Sequence, residues 1–240
     1  MIDLNSTSPW AITARINPLV DAACQQRRAE EPPRDYLGCS ILGHPCERAI
    51  QYEISPPVEK TFPARVLRIF DRGHWAEDYA LRLLQKAGLV FAPHESGQYE
   101  VEFLGGRVKG HADGVIVWER TGSHVVPIPC LWECKCLGAK YWRELTKKRL
   151  KSCRPTYYGQ VQLYMQGLDL NVCLFTAVNA DTMEMHHELV ERDEATANRL
   201  LSRAGHILLA TDHGELLPRM HPNRSHVDCK ICSWSEACWA

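Results

Sequence analysis

The chain has 240 residues, which is enough for one domain with extensions or for two small domains, and enough to bury a sizeable core. Hydrophobic residues make up 45% and charged residues 24%, as in ordinary globular proteins, and the formal net charge of −1 gives no global sign of a polyanionic partner. No apolar run reaches membrane-spanning length and no basic-then-apolar signal pattern begins the chain, so we expect a cytoplasmic protein without a membrane span.

Cysteine is unusually frequent for a protein of the cytosol, with eleven residues in the chain. The odd count and the lack of a signal pattern argue against a disulfide framework. Ligation of a metal ion or of a metal cluster is the explanation that remains.

The N-terminal part of the chain is predicted to be separate from the rest. We expect a short helix from Ala11 to Arg28, followed by a boundary at Glu30–Pro33, where two acidic residues precede two prolines. Residues 1–35 are therefore interpreted as an N-terminal extension, and residues 36–240 as the main domain.

Two further helices are expected before the first strand. One runs through Tyr52 and ends before Pro56, because proline cannot continue a helix. Apolar residues then recur at helical spacing from Ala64 to Ala87, and Gly88 stands where a C-terminal cap is expected. Gly73 interrupts this pattern, so one bent helix and two separate helices both fit.

A run of strands rich in β-branched and aromatic residues follows. We predict them at Gln98–Leu104, Arg107–Trp118 and Val125–Lys135. Gly105 and Gly106 between the first two indicate a hairpin turn. The second and third of these strands carry the charged residues on which the functional interpretation depends.

Those charged residues are Asp113 in one strand and Glu133 and Lys135 in the next. Alternate side chains of a strand share a face, so Glu133 and Lys135 point the same way while Cys134 points the other. If the strand of Asp113 lies alongside, two carboxylates meet, and a divalent cation between them relieves their repulsion. A neighbouring ammonium group can stabilise negative charge on a nucleophile or a phosphate.

The chain beyond these strands adds a helix and a basic segment. The helix Tyr157–Gly167 carries Gln160 and Tyr164 four residues apart, and therefore on one face. Between the strands and this helix, residues 140–154 are strongly basic and include Tyr141 and Trp142, so they form either a solvated helix face or a phosphate-contacting surface. The remaining predicted elements are strands at Val172–Val178 and Glu184–Leu189 and a helix at Glu194–Leu209.

The C-terminus holds three closely spaced cysteines, Cys229, Cys232 and Cys238. Thiolates two residues apart commonly hold a tetrahedral zinc ion or an iron–sulfur cluster. A complete site needs a fourth ligand, and Cys39 and Cys46 are both candidates.

Taken together, the Asp…Glu-x-Lys pattern resembles the core motif of the PD-(D/E)XK nuclease superfamily. Within it, the RecB-like and AddAB-like nucleases and the CRISPR-associated RecB-like exonucleases carry a four-cysteine iron–sulfur cluster, with one early ligand and three late ones spaced Cys-x2-Cys-x5-Cys. The late cysteines of this chain match that spacing, and the segment Ser40–Cys46 resembles the early signature, except that Pro45 precedes the cysteine. This resemblance favours Cys46 and keeps Cys39 as the alternate.

Two more motifs of that branch have counterparts here. A helix before the strands carries a Gly followed four residues later by a His or a Glu, and Gly73 to Glu77 fits the Glu version, with His74 as the alternative. A helix after the strands carries Gln-x-x-x-Tyr, which matches Gln160 and Tyr164. The resemblance covers the chain from about Ser40 to the C-terminus.

The resemblance implies a restriction-endonuclease-like α/β core, in which a central mixed β-sheet is flanked by helices and a metal cluster joins the N- and C-terminal segments. It implies Mg²⁺- or Mn²⁺-dependent hydrolysis of DNA, as an exonuclease of phage or bacterial recombination, repair or DNA processing. The expected metal ligands are Glu77, Asp113, Glu133 and the main-chain carbonyl of Cys134. Lys135 would position or deprotonate the attacking water, provided that its pKa is depressed. One of Gln160 and Tyr164 would orient the scissile phosphate or the lysine, and the other would contact DNA.

The expected cofactors are therefore Mg²⁺ or Mn²⁺ and a structural [4Fe-4S] cluster on Cys46, Cys229, Cys232 and Cys238, with structural Zn²⁺ as the alternative to the cluster. The expected partner is single-stranded DNA or a duplex end. No phosphate-binding helicase motif occurs in the chain, so a helicase would supply any unwinding, and a single-strand annealing protein is a second possible partner. Two other classes of function also fit: a catalytically inactive DNA-binding or interaction module of the same fold, and a zinc-stapled protein of unrelated function.

Overall fold

The computed structural model describes residues 9–32, 34–93, 99–120 and 122–240, and the side chains from Ile12 onward. Its helices are α1 (Pro9–Glu30), α2 (Glu47–Ile54), α3 (Ala64–Lys86), α4 (Ala139–Lys148), α5 (Leu150–Cys153), α6 (Pro155–Leu168), α7 (Glu194–Asp212), α8 (Val227–Lys230) and α9 (Ser235–Trp239). Its strands are β1 (Leu37–Gly38), β2 (Leu89–Phe91), β3 (Tyr99–Phe103), β4 (Val108–Ala112), β5 (Gly114–Glu119), β6 (Cys130–Leu137), β7 (Val172–Asn179) and β8 (Met185–Glu191). Among these residues, no helix combines the length and the apolar character that crossing a membrane requires.

A five-stranded mixed sheet with the order β2-β5-β6-β7-β8 lies at the centre of the fold. Strands β6 and β7 are parallel, and the other neighbours in this sheet are antiparallel. Every residue of β7 is buried, which explains its nearly continuous apolar run, since a central strand is covered on both faces. The predicted α/β architecture, a central mixed sheet flanked by helices, is confirmed.

The two faces of this sheet belong to separate hydrophobic clusters. On β7, Cys173 and Phe175 pack with residues of α6 and α7, whereas Val172 and Leu174 pack with Ala76 and other residues from the end of α3. This alternation follows from the two-residue period of a strand. The sheet therefore has helices over both faces, as the sequence predicted.

A smaller sheet has the order β1-β4-β3, and its hairpin β3–β4 confirms the predicted turn. Gly105 and Gly106 have φ values of 63° and 83°, a left-handed conformation that glycine adopts without strain. Gln98, the predicted first residue of this hairpin, lies outside the described residues.

The prediction of one strand from Arg107 to Trp118 is wrong. The chain bends at Asp113, so that β4 belongs to the smaller sheet and β5 to the central one. Both halves are rich in residues of high β propensity, and propensity does not show where a strand changes sheets. The bend is the reason that the Asp113 carboxylate can turn towards β6.

The third predicted strand begins later than expected, at Cys130 instead of Val125, and continues to Leu137. Pro127 and Pro129 explain the late start, because proline donates no hydrogen bond to a sheet ladder. The short strands β1 and β2 and the short helices α8 and α9 were not predicted, since a few residues carry little periodicity.

The predicted helices are otherwise confirmed, and α3 is one continuous helix through Gly73. The chain divides into two compact units, one formed by residues 1–33 and 60–75 and the other by residues 34–59 and 76–240. The first unit contains α1 and the beginning of α3, which are joined by ion pairs of Arg27 with Asp71 and of Arg68 with Asp21. The second unit contains both sheets and the remaining helices.

Candidate active site

The strands β5 and β6 bring Asp113 next to the Glu133–Lys135 segment. Gly114 pairs with Trp132 across the antiparallel ladder, which places the preceding Asp113 beside the following residues of β6. The Oδ2 atom of Asp113 accepts a hydrogen bond of 2.8 Å from the main-chain N–H of Cys134. The carboxylate is buried, and this bond holds it beside β6.

Glu133 lies at the centre of the site and is only 1% exposed. Its Oε1 atom accepts hydrogen bonds from Lys135 Nζ and, at 2.8 Å, from Gln160 Nε2. Its Oε2 atom is buried and has no hydrogen-bond partner among the described residues. Burial raises the pKa of the Glu133 carboxyl, the negative charge of Asp113 raises it further, and Lys135 opposes the shift.

Glu77 reaches the same site from α3. Its negative charge contributes to the raised pKa of Glu133 and to that of the Cys134 thiol, for which burial and Asp113 are larger causes. The alternative residue His74 has an exposed side chain. The structure therefore groups Glu77, Asp113 and Glu133 as three carboxylates around one place.

Lys135 is held as an ammonium group between acceptors. It donates to Glu133 Oε1 and, at 3.0 Å, to the main-chain carbonyl oxygen of Cys134. Burial lowers the pKa of Lys135, but the charges of Glu133 and Asp113 outweigh burial and raise it above the ordinary value. The two hydrogen bonds hold the Lys135 ammonium group beside the carboxylates.

Gln160 and Tyr164 lie on the buried face of α6, directly behind Glu133. Gln160 Nε2 donates to Glu133 Oε1 and lies 2.9 Å from the Tyr164 hydroxyl. Both side chains are buried, and their hydrogen bonds connect α6 to Glu133. Gly110 makes room for the tyrosine, because a Cβ at that position would come within 2.4 Å of Tyr164 Cε1.

Tyr157 is a residue of the site that sequence reasoning missed. Its ring lies 5.9 Å from Lys135 Nζ and stacks on Phe175. The position is three residues before Gln160 on α6, hence on the same face of the helix, and this spacing was the available signal. His111, which precedes Asp113 by two residues, points to solvent near Glu100 instead of into the site.

The basic segment forms α4 and α5 and is partly neutralised by acidic neighbours. Ion pairs join Glu144 to both Lys148 and Arg154, Glu188 to Arg149, and Asp193 to Lys151. Trp142 is partly buried and packs against the core. Tyr141 remains exposed, with the guanidinium of Arg154 4.4 Å from its ring centroid.

The C-terminal cysteines meet the start of α2. Cys46, Cys229, Cys232 and Cys238 line one pocket, together with Tyr52 and Trp234. Burial raises the pKa of the Cys232 thiol, and the other three thiols raise it further, which reflects their proximity. The alternate residue Cys39 lies elsewhere, buried in the main core beside Gly110.

Comparison with solved structures shows that this fold is similar to that of exonucleases. An alkaline exonuclease from Laribacter hongkongensis, LHK-Exo, has a TM-score of 0.54 and 14% identity, over 82% of this chain and 93% of that one. The same protein in complex with dAMP has a TM-score of 0.53 and 15% identity, over 75% and 89%. A phage-related exonuclease from Haemophilus somnus 129PT has a TM-score of 0.51 and 13% identity, over 74% and 96%.

No protein-family model and no curated protein sequence matches the chain. At identities of 13–15% the structural similarity shows the fold alone. The class is thus a mixed α/β fold similar to that of exonucleases, with Asp113, Glu133 and Lys135 together at the junction of β5 and β6.

Proposed function

We propose that the protein is a divalent-metal-dependent deoxyribonuclease that hydrolyses phosphodiester bonds and acts on DNA ends as an exonuclease. The observation that carries this proposal is the Oε2 atom of Glu133, a buried carboxylate oxygen without a hydrogen-bond partner among the described residues. Burying such an atom is costly unless it has a ligand. Asp113 and Glu77 beside it add the negative charge that attracts a cation.

The donor set fits a hard cation such as Mg²⁺ or Mn²⁺, which prefers oxygen ligands. Glu77, Asp113, Glu133 and the main-chain carbonyl of Cys134 would hold it. Such an ion, when bound, supplies a Lewis acid that lowers the pKa of water and offsets charge on a phosphate. Neutral Cys134 contributes only its main chain, since burial, followed by the neighbouring carboxylates, keeps the pKa of its thiol high.

The protein side chains position the reacting groups and supply positive charge near the phosphate. Hydrolysis forms a bond from a water oxygen to phosphorus and breaks a phosphorus–oxygen bond of the backbone, while negative charge grows on the phosphate oxygens. The ammonium of Lys135, fixed by Glu133 and by the Cys134 carbonyl, can donate to one of those oxygens or to the water. Gln160 holds Glu133 in place, and Tyr164 holds Gln160.

A groove for the DNA backbone is proposed along α4, where Lys140, Arg143 and Lys147 are exposed. Phosphate contacts of this kind give affinity without sequence preference. Tyr141 offers an exposed ring on which a base of a single strand can stack. A helicase or a single-strand annealing protein would fit as a functional partner, since duplex unwinding needs a motor.

We further propose that Cys46, Cys229, Cys232 and Cys238 hold a [4Fe-4S] cluster, which links the start of α2 to the C-terminal segment. The support is the Cys-x2-Cys-x5-Cys spacing together with the shared pocket. Arg48 also lies against Cys238, with 3.9 Å between Nη1 and Sγ, and a cation favours a thiolate ligand. Structural Zn²⁺ on the same four residues is the alternative.

The nuclease proposal is tested by digesting end-labelled duplex and single-stranded DNA in the presence of Mg²⁺ or Mn²⁺. We expect cleavage by the wild type that chelation with EDTA abolishes. Asp113→Asn, Glu133→Gln and Lys135→Met should each lower the rate at least about a hundredfold, the loss typical when a group that stabilises transition-state charge is removed. These variants preserve the volume of the side chain, and circular dichroism would confirm their fold.

The matched controls are Glu100→Gln and Lys109→Met, which alter an exposed ion pair on β3 and β4. Both should cleave at the rate of the wild type. Cleavage at the wild-type rate by all three active-site variants would refute the site assignment. DNA binding without any cleavage by the wild type would favour the inactive binding module, and neither binding nor cleavage would favour the unrelated, zinc-stapled class.

A further inference from the structure

The C-terminal segment contains a further group of side chains that can ligate a metal. This group is distinct from the carboxylates Glu77, Asp113 and Glu133 and from the four cysteines. His221, His226 and Asp228 each offer one donor atom, and these atoms all lie within 4.8 Å of one another. His221 Nε2 is 2.9 Å and His226 Nδ1 is 3.4 Å from the same Oδ2 atom of Asp228. Neither the nuclease proposal nor the cluster proposal uses this group.

These separations fit the coordination sphere of a transition-metal ion. Imidazole nitrogens and carboxylate oxygens bind zinc at about 2.0 to 2.2 Å, so two donors of one ion lie roughly 3 to 3.5 Å apart. The separation from Asp228 Oδ2 is 2.9 Å for His221, just below that range, and 3.4 Å for His226, within it. A hydrogen bond pairs His221 with Asp228, and His226 Nδ1 lies near the same oxygen as the N-cap of α8.

The two imidazole rings are held together by stacking. Their centroids are 3.4 Å apart, with 18° between the ring planes. An imidazole nitrogen that carries no proton has a lone pair with which it can bind a metal ion. His226 Nδ1 also accepts a long bond of 3.3 Å from the Asp228 N–H at the start of α8, which holds the ring beside Asp228.

We propose that His221, His226 and Asp228 form a binding site for a borderline divalent transition-metal ion of the Zn²⁺ type. Two imidazoles and one carboxylate suit such an ion better than Mg²⁺, which prefers an all-oxygen set. The side chains are 18%, 44% and 41% exposed, respectively, so the ion has a path of entry and its remaining positions face solvent. Water or an exogenous ligand completes the coordination there.

An ion at this place orders the start of α8. Asp228 directly precedes Cys229, and His221 and Asp228 line the cysteine pocket beside it. An ion that ties Asp228 to His221 therefore restricts the position of the Cys229 thiol. The site is separable from the cysteine pocket, because its three ligands include no sulfur.

The test is calorimetric titration of Zn²⁺ into the full chain, purified without oxygen and freed of loosely bound metal. The wild type should bind one equivalent at this site. The combined variant His221→Asn with His226→Asn, and separately Asp228→Asn, should weaken that binding at least about tenfold, since even changes around a metal's direct ligands cost 10- to 100-fold. The matched control His213→Asn removes an exposed histidine near the end of α7 and should bind as the wild type does.

Cys232→Ser distinguishes the two neighbouring sites. The proposal expects this variant to keep the Zn²⁺ equivalent, since its ligands are nitrogen and oxygen. Equal Zn²⁺ binding by the wild type, the double histidine variant and Asp228→Asn would overturn it. Loss of Zn²⁺ binding in Cys232→Ser alone would overturn it as well, because the ion would then be bound by the cysteines. Asp228→Asn decides the question if the double variant does not fold. These readouts do not depend on nuclease activity.

Discussion

At the scale of single residues, Glu133 shows what the sequence could and could not predict. Its pairing with Lys135 on one face of a strand was predictable, because the two-residue period of a strand fixes it. Its complete burial and its bond to Gln160 were not, since they depend on the distance between β6 and α6 in three dimensions. The same holds for Tyr157, whose ring contacts the lysine from a helix that begins twenty residues later.

Glu77 marks the limit of residue-level prediction. A glutamate on a half-exposed helix has no local signal that separates a ligand from a solvated side chain, and only the resemblance singled it out. In the structure, its charge acts on Glu133 and on Cys134. For Lys135 the sequence left two roles open, positioning or deprotonating the water, and in the structure the charges of Glu133 and Asp113 outweigh burial and raise its pKa.

At the scale of elements, the structure assigns β4 and β5 to different sheets, and this was the largest error in the predicted strands. Helices were predicted well, because their apolar periodicity extends over many residues, as in α3 and α7. The helix α7 also has a specific start signal. Asp193 caps it by accepting from Thr196 N–H at 3.0 Å, and it also accepts from Lys151 Nζ and from the Tyr158 hydroxyl.

This cap leads to a prediction about stability and pH. The bond from Thr196 N–H, with further help from Lys151, lowers the pKa of the Asp193 carboxyl well below its ordinary value. Because the folded-state pKa is lower than the unfolded-state value of about 3.9, the carboxylate stabilises the protein above that pH and loses this contribution as the pH falls. Asp193→Ala should lower the free energy of unfolding by about 1 kcal/mol at neutral pH, the usual value of an N-cap.

Urea unfolding of the wild type and of Asp193→Ala at several pH values provides the measurement. The difference in stability should shrink as the pH falls below about 4, where the unfolded-state carboxyl takes up its proton. Glu194→Gln is the matched control, since it removes an exposed charge from the first turn of the same helix without removing the cap. A difference between wild type and Asp193→Ala that stays constant from neutral to acidic pH would contradict this account of the cap.

At the scale of the whole molecule, the fold class and the mixed central sheet were expected through the resemblance, and the order of predicted strands and helices along the chain agrees with an α/β fold. The smaller sheet was not, because β1 is only two residues long and pairs with β4 far along the chain. The meeting of Cys46 with the C-terminal cysteines was expected only through the resemblance. The structure brings these residues into one pocket.

The cluster proposal predicts the properties of the purified protein. Protein prepared without oxygen should be brown and contain iron, because thiolate-to-iron charge transfer absorbs visible light, whereas a zinc protein is colourless. Cys46→Ser and Cys232→Ser should lose the colour and melt at a lower temperature, since a bound group that stabilises only the folded state is lost. Optical spectra, metal analysis and thermal melts measure these effects.

Cys153→Ser is the control for the cluster, because this half-buried cysteine lies in α5, outside the pocket. It should retain iron and colour. A colourless wild type with one zinc ion per chain would show that the cysteines hold the alternative cofactor, Zn²⁺, instead of the cluster. Iron retained in Cys46→Ser would exclude that residue as the fourth ligand.

Calorimetric titration of Mn²⁺ into the full chain tests the central claim most directly, namely that Glu77, Asp113 and Glu133 form one cation site. We predict binding by the wild type, binding weakened at least about tenfold in Asp113→Asn and in Glu133→Gln, and unchanged binding in Glu100→Gln. Lys135→Met should still bind, because it removes a positive charge and no ligand. Equal Mn²⁺ affinity of the wild type, Asp113→Asn and Glu133→Gln would contradict the account.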